Sequence, residues 1–222
     1  MFFSKIELRR EAEQCARVAQ VMTQDGYRLH QALWQLFLAP PGTPRDFLYR
    51  QLETAHWPSF YVLSARQPVD TRGVWSIQSK SYVPQLAAGQ RLAFSLCANP
   101  VVTKLGPHGK PVRHDVIKNA KQLRQNRAEP PIPLGALMAQ EGETWLHNRA
   151  ERCGFHVEQV RVDGYRQHQF RKARSGNWVK FSTLDFDGLL TVVDPELFGH
   201  TLYTGLGPAK SFGCGLLLIR RV

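Results

Sequence analysis

Tyr27 and His30 are the pair of side chains whose types and spacing best suit proton transfer in this 222-residue chain. An imidazole gives and takes protons near neutrality because its ordinary pKa is close to the working pH. Three residues apart on a helix, a tyrosine and a histidine point the same way. The surrounding segment predicts such a helix. Asp25 is a plausible N-cap before Gly26 or Tyr27, and Leu29, Leu33, Leu36 and Phe37 form one apolar face. Tyr27, His30, Gln31 and Trp34 fall on the adjoining face, which puts His30 at the margin of the core stripe. A histidine there is ordinarily structural. It becomes chemical if an RNA phosphate lies beside it. Strand cleavage by the ribose 2′-OH needs one proton taken, one proton given and cover for the charge building on phosphorus, and a His, a Tyr and a Lys suffice.

Other chemistries lack their residues. None of the four cysteines, Cys15, Cys97, Cys153 and Cys214, sits in a C-x-x-C pair, and no H-x-x-H or H-E-x-x-H occurs. Asp185 and Asp187 share a strand face and read as a surface or sheet-edge pair. A G-x-S-x-G elbow is absent. Neither a metal nor a cofactor is expected.

The tail from Gly205 to Ile219, GLGPAKSFGCGLLLI, surrounds Lys210 with Gly205, Gly207, Gly213 and Gly215 before a strand-like apolar run. Bare backbone beside a cation suits an anion, and a tight helix-to-strand turn suits the same residues. Ala209 and Thr204 stand where a Walker A loop needs glycine, and Lys210 where a dinucleotide fingerprint does.

Charge points the same way. Lys and Arg number 29 against 18 Asp and Glu, a formal +11, with a pI near 9.9. A polyanion, nucleic acid before membrane, is the partner this balance favours. The excess concentrates in the second half: the stretch from Lys104 to Arg127, which includes Lys110, Arg113 and Lys118, then Arg171, Lys172, Arg174, Lys180, Lys210, Arg220 and Arg221. The scattered cysteines suit reduced, mostly buried thiols of a cytoplasmic protein. The N-terminus is no signal peptide, and no apolar run is long enough to span a membrane.

The elements that must hold these residues follow in order. Ile6 and Leu8 alternate with charge in an opening strand, and residues 11–22 look helical before the His30 helix, which Pro40-Pro41-Gly42 ends. Strands are expected at about 47–52, 60–65 and 75–83. A second unit opens at Leu92, Phe94 and Leu96. There Asp115 caps a basic helix with Val116, Ala120 and Leu123 inward, and the EPPIPLG segment links it to a helix near 141–153. A hairpin at about 157–170 and 179–193 has RKARSGN at its tip. A short helix near 195–203 precedes the glycine loop and the last strand. The expected class is α+β, with two copies of one topology divided into residues 1–87 and 88–222.

These blocks in order resemble the CasE family, the CRISPR-repeat-cleaving endoribonucleases of the type I-E Cascade complex. The matching segments are FFSKIEL, YRLHQALWQLF, RLAFSLCANPVVTK, FDGLLTVVDP and GLGPAKSFGCGLL, spread over nearly the whole chain. The last of them and the Y-x-x-H helix are the most specific. The resemblance implies two tandem ferredoxin-like β-α-β-β-α-β domains. It also implies a metal-independent cut at the 3′ base of the repeat stem, leaving a 2′,3′-cyclic phosphate and a 5′-OH. Afterwards the enzyme stays on the crRNA stem-loop beside other Cascade subunits. By the same resemblance His30 is the general acid–base and Tyr27 its partner. A hairpin lysine, Lys172, stabilises the transition state, with Arg171 or Arg174 as alternatives. RNA contacts fall to Arg171, Arg174, Lys104, Lys110, Arg113, Lys118, Gly205, Gly207, Lys210, Ser211, Gly213 and Gly215. Residues 119–137 look inserted relative to that pattern. Two other readings stand: a non-catalytic RNA-binding subunit on the same fold, in which Tyr27 and His30 only pack or stack, and a basic structural protein.

Overall fold

The computed structural model describes residues 1–9, 26–38, 40, 42–52, 58–106, 109–171 and 178–222, and only the backbone of Gly26, Tyr27 and Arg171. The expected N-cap Asp25, the expected helix at 11–22, and Lys172 and Arg174 lie outside the described residues.

Two four-stranded antiparallel sheets organise the chain. The first runs β2-β3-β1-β4, from β1 (Phe2–Leu8), β2 (Phe47–Gln51), β3 (Ser59–Ser64) and β4 (Trp75–Ser81). The second runs β10-β5-β9-β8, from β5 (Arg91–Ala98), β8 (Phe155–Arg171), β9 (Trp178–Val192) and β10 (Leu217–Arg221). In both, the first and third strands are central and the second and fourth are edges, which is the ferredoxin-like order. The first sheet departs in one place. The expected second helix between β3 and β4 is replaced by a turn, where the Asp70 carboxylate accepts from the main-chain N–H of Arg72 at 3.0 Å and Trp75 at 2.6 Å.

Strand alternation sorts the core. In β1, Ser4, Ile6 and Leu8 are buried; in β5, Leu92, Phe94, Leu96 and Ala98 are. Helix α1 (Gly26–Trp34) lays Leu29 and Leu33 on the first sheet, and Leu36 and Phe37 complete that stripe from the turn beyond the helix end. Strand β2 is buried on both faces. Phe47 and Tyr49 meet α1, while Leu48 joins Leu63 and Leu216 in a smaller apolar cluster that bridges the two sheets. Arg50 donates to Ser95 Oγ at 2.7 Å across the same boundary.

Between β5 and β8 the second half carries additions. Strands β6 (Val101–Leu105) and β7 (Pro111–Asp115) form a two-stranded ribbon. It occupies the start of what reads in sequence as one continuous basic stretch. Helix α2 (Val116–Asn126) follows, capped by Asp115, whose carboxylate accepts from Lys118 N at 2.7 Å. Val116, Ile117 and Ala120 turn inward, but Leu123 does not: it is 37% exposed, because the last turn of α2 runs past the core. Helix α3 (Leu134–Ala150) starts directly after Pro133, earlier than expected. Residues 119–137 are therefore the end of α2, a turn and the start of α3, and the two helices pack together. Helix α4 (Pro195–Thr204) is capped by Asp194 and leads into the glycine loop, which contains a short 3-10 turn at Lys210–Phe212.

Candidate active site and nucleic-acid interface

The glycine loop joins three parts of the molecule. Its 3-10 turn lies against both α1 and β2. Tyr49, buried on β2, donates its hydroxyl to the main-chain oxygen of Ser211 at 3.0 Å, and Arg45 Nη1 donates to Ser211 Oγ at 3.2 Å. On the other side, Phe212 packs against Phe170 and Phe181 near the tip end of the β8–β9 hairpin, with ring centroids 4.9 and 5.3 Å apart. The ring of Trp145 on α3 lies under Gly207.

The glycines answer to this packing. A Cβ at Gly215, whose φ is +90°, would stand 2.6 Å from Leu206 O. One at Gly205, φ +76°, would stand 2.8 Å from both Gly215 O and a Leu48 methyl. What comes close to the main chain on these sides is the protein itself. The loop is a tight turn by construction, and it offers Lys210 and Ser211 from its tip.

His30 sits one turn into α1, in an aromatic cage. Its ring stacks on Phe47 at 5.8 Å and Tyr49 at 6.5 Å and meets the edge of Trp34 at 5.7 Å. Nδ1 is buried and has no hydrogen-bond partner among the described residues. An orphaned buried polar atom costs about 1–3 kcal/mol, a cost that a partner from outside the described residues relieves. Burial and then the nearby Arg45 charge lower the imidazole pKa to about 4, leaving His30 neutral at pH 7. The Tyr49 hydroxyl is pushed up, chiefly by burial, and stays protonated. Burial, then repulsion from Arg45, lowers Lys210. No carboxylate pairs with Arg45 or Lys210 among the described residues. The carboxylate of Asp46, next to Arg45 in the chain, is held by Arg66 in a two-pronged pair at 2.7 and 2.8 Å. The result is a neutral imidazole beside cations that no described residue neutralises.

A second region adjoins it. A groove of about 560 Å³ runs between the base of the β6–β7 ribbon, the β8–β9 hairpin and the glycine loop. Arg113, Lys118, Lys180, His168, Phe181 and Phe212 contribute to its walls. His168 stacks on Phe181 at 4.7 Å and shares a 3.0 Å hydrogen bond with Thr183 Oγ1. Interleaved cations and rings suit a polynucleotide, since cations meet phosphates and rings meet bases. Lys104, Lys110, Arg113 and Lys118 are all exposed on the ribbon and α2. Arg171 ends β8 opposite Trp178, which is 58% exposed.

Sequence reasoning brought His30, Lys210 and Ser211 forward, and the fold gathers them. Tyr27 lies one turn before His30 on the same helix. Arg45 and Tyr49 were missed. An arginine before an apolar strand has no distinguishing pattern, and only the register of β2 against the glycine loop makes it part of a site. The ribbon was missed as well, although Gly106 and Gly109 between Val101-Val102 and Val112 are a turn signal. Asp185 pairs with Arg166, and Asp187 with Arg161 at 3.8 Å, so both acids are neutralised on the sheet. Among the described residues no group of three or more His, Cys, Asp or Glu is placed to hold a metal, and no helix is long and apolar enough to cross a membrane. Cys97, Cys153 and Cys214 are free thiols.

Known proteins share this architecture. The model of the family described as CRISPR associated protein matches residues 1–221. The chain is 35% identical over 203 residues to the CRISPR system Cascade subunit CasE of Escherichia coli K12, covering 90% of this chain and 94% of that protein. It is 27% identical over 226 residues to the CRISPR-associated endoribonuclease Cse3 of Thermus thermophilus, covering 92% and 94%. Among solved structures, CRISPR endoribonuclease Cse3 bound to a 19-nucleotide RNA aligns with a TM-score of 0.73 at 26% identity, over 99% of this chain and 100% of that one. The CRISPR-associated protein Cas6e of Escherichia coli K-12 aligns at 0.67 with 30% identity over the full length of both. Matched from end to end by the family model and by these relatives, the chain belongs to the CasE/Cse3 family of CRISPR-associated proteins.

Proposed function

We propose that this chain is a metal-independent endoribonuclease that binds the stem-loop of CRISPR repeat RNA, cuts once at the 3′ base of the stem and remains on the crRNA as a Cascade subunit. One observation carries the catalytic part: a part-buried imidazole, neutral at pH 7 and with an orphaned Nδ1, lies beside Arg45, Lys210 is close enough to repel that arginine, and neither cation has a carboxylate partner among the described residues. Cations of this kind repel a divalent metal and attract a phosphate, which is the supporting argument for metal independence. The relatives add weight, since one is named an endoribonuclease, one a Cascade subunit, and one was solved with RNA bound.

In the proposed reaction His30 takes the proton of the ribose 2′-OH, helped by Tyr27. The 2′ oxygen bonds to phosphorus, the bond from phosphorus to the 5′ oxygen breaks, and a proton returns to that oxygen. The products are a 2′,3′-cyclic phosphate and a 5′-OH. Hairpin-tip cations, Lys172 first and Arg171 or Arg174 otherwise, cover the phosphorane from the second half of the chain. The groove with Arg113 and Lys118, together with Lys104, Lys110, Lys210 and Ser211, holds the RNA backbone. Gly205, Gly207, Gly213 and Gly215 serve that contact by shaping the loop. We divide the chain into a catalytic unit, residues 1–87, and an RNA-holding unit, residues 88–222. The strand boundaries support this, since the first sheet's last strand ends at Ser81 and the second sheet's first begins at Arg91. Such a protein works in the cytoplasm, where its RNA is made.

Incubating purified protein with the repeat RNA of its own genome in excess EDTA tests the reading. The expected result is one cut, with a cyclic phosphate end, by the wild type and none by His30→Ala. Intact RNA bound equally by both proteins would instead favour a non-catalytic RNA-binding subunit.

A further inference from the structure

Arg45 is the cation nearest in effect to His30, and no described residue uses up its charge. Its guanidinium is half-buried on the segment leading into β2. Among the described residues it donates one hydrogen bond, from Nη1 to Ser211 Oγ at 3.2 Å, which fixes it against the 3-10 turn of the glycine loop. The guanidinium fork has several further N–H donors. Its chain neighbour Asp46 is committed to Arg66. A part-buried arginine with spare donors and no counter-ion among the described residues, next to a second such cation in Lys210, is equipped to bind an oxyanion.

Resting on the endoribonuclease reading for the identity of its ligand, we propose that Arg45 is a phosphate-binding residue of the His30 site. Its guanidinium holds a non-bridging oxygen of the RNA phosphate that His30 serves, and Ser211 orients it. The arrangement has a consequence for the proton. Among the described residues, the charged or titratable groups on the elements packed about the imidazole are Arg28 on its own helix, Arg45, Asp46, Tyr49 and Arg50 in and before β2, and Lys210 on the loop; of these, Arg45 acts on His30 by its charge and Tyr49 stacks on it. The nearby Arg45 charge makes a bare His30 a poor base. A phosphate seated on Arg45 offsets that charge, so the imidazole gains affinity for a proton when a substrate is in place. The substrate thereby arms its own base. Without RNA the imidazole is weakly basic and attacks nothing. Arg45 also ties the two halves together, since it belongs to the first sheet's unit and is held by a loop of the second.

Two variants test this, Arg45→Gln and Arg45→Lys, each checked for a folded NMR spectrum. The first readout is the His30 imidazole titration followed by NMR. In Arg45→Gln the free protein should titrate at higher pH than the wild type. Inorganic phosphate should raise the wild-type midpoint and leave that of Arg45→Gln unmoved, with Arg45→Lys between. The second readout is single-turnover cleavage of the repeat stem-loop at saturating protein. Arg45→Gln should slow it ~10²-fold, as loss of one oxyanion donor does, and Arg45→Lys should recover part of the loss. Affinity for a stem-loop carrying 2′-deoxyribose at the cut should change less than ~3-fold in either, one phosphate contact among many. Equal rates for wild type and Arg45→Gln would overturn the proposal. So would a His30 midpoint that ignores phosphate in the wild type. If the wild type neither binds nor cuts repeat RNA, the endoribonuclease reading fails, and the phosphate titration alone then decides whether Arg45 is an anion seat.

Discussion

The His30 pocket and the groove beside the β6–β7 ribbon hold similar residue types in opposite settings. In the pocket, rings enclose the imidazole and the nearby cations are half-buried, so each charge acts strongly on its neighbours. In the groove Arg113, Lys118 and Lys180 stand in solvent, and their charge is screened by salt and largely independent of neighbours. On the proposed function, the first setting tunes a proton and tolerates little change, and the second accumulates affinity from several weak, additive contacts. The glycine loop touches both: Ser211 reaches the pocket and Phe212 the groove. On that reading chemistry and binding are not parted as cleanly as a helix in one half and a basic surface in the other would imply, and Lys210 stands at the seam.

The division can be broken from either side. The largest effect should come from His30→Ala: single-turnover cleavage falls ~10³-fold or more, within the range of lost acid–base catalysis, while affinity for the stem-loop stays within ~3-fold. Fast cutting by this variant would mean that the proton passes elsewhere. Next is the triple variant Arg113→Ala, Lys118→Ala and Lys180→Ala. Its dissociation constant should rise ~10–100-fold at physiological salt, and the slope of log affinity against log salt should fall by about 3. The saturated rate should hold. A slower saturated rate would place the groove in the chemistry. Lys210→Ala sharpens the seam, since a loss split between affinity and saturated rate is expected there, and a loss in one alone assigns the loop to one region.

Smaller effects concern the scaffold. Gly215→Ala puts a methyl against Leu206 O at positive φ, so the melting temperature should drop by several degrees, on the order of 1–3 kcal/mol for a strained backbone. Unchanged melting would show that the loop yields. The smallest effect is pH-dependent stability. His30 titrates near pH 4 when folded and near 6.5 when unfolded, so the unfolded chain takes the proton first. His30 therefore favours the folded state above about pH 6.5, and that contribution drains away down to about pH 4. The melting temperature of the wild type relative to His30→Phe should fall across that window and level off below it. A flat difference would mean that the imidazole is not buried in solution.

Much of the fold was legible beforehand because its signals are local. Alternation in Leu92, Phe94 and Leu96 marks β5, and Asp115 announces a helix by capping chemistry that acts over three residues. The errors have local causes too. Leu123 keeps the period of α2 but lies where the core has ended, and an Asp70 turn does the work of a helix between β3 and β4. The candidate site was legible in part. His30 follows from its type and its place at the edge of an apolar stripe.

By itself the sequence determined the α+β class, the amphipathic helix that carries His30, the cationic second half and the glycine-rich turn, because propensity, periodicity and net charge need no partner to be read. Only the tertiary structure decided that Arg45, Tyr49 and Ser211 meet. They lie up to 166 positions apart and come together through β2 packing on the glycine loop. It also decided the protonation of His30. A pKa is set by the burial and the charge around a group, and those exist only once distant segments have closed over it.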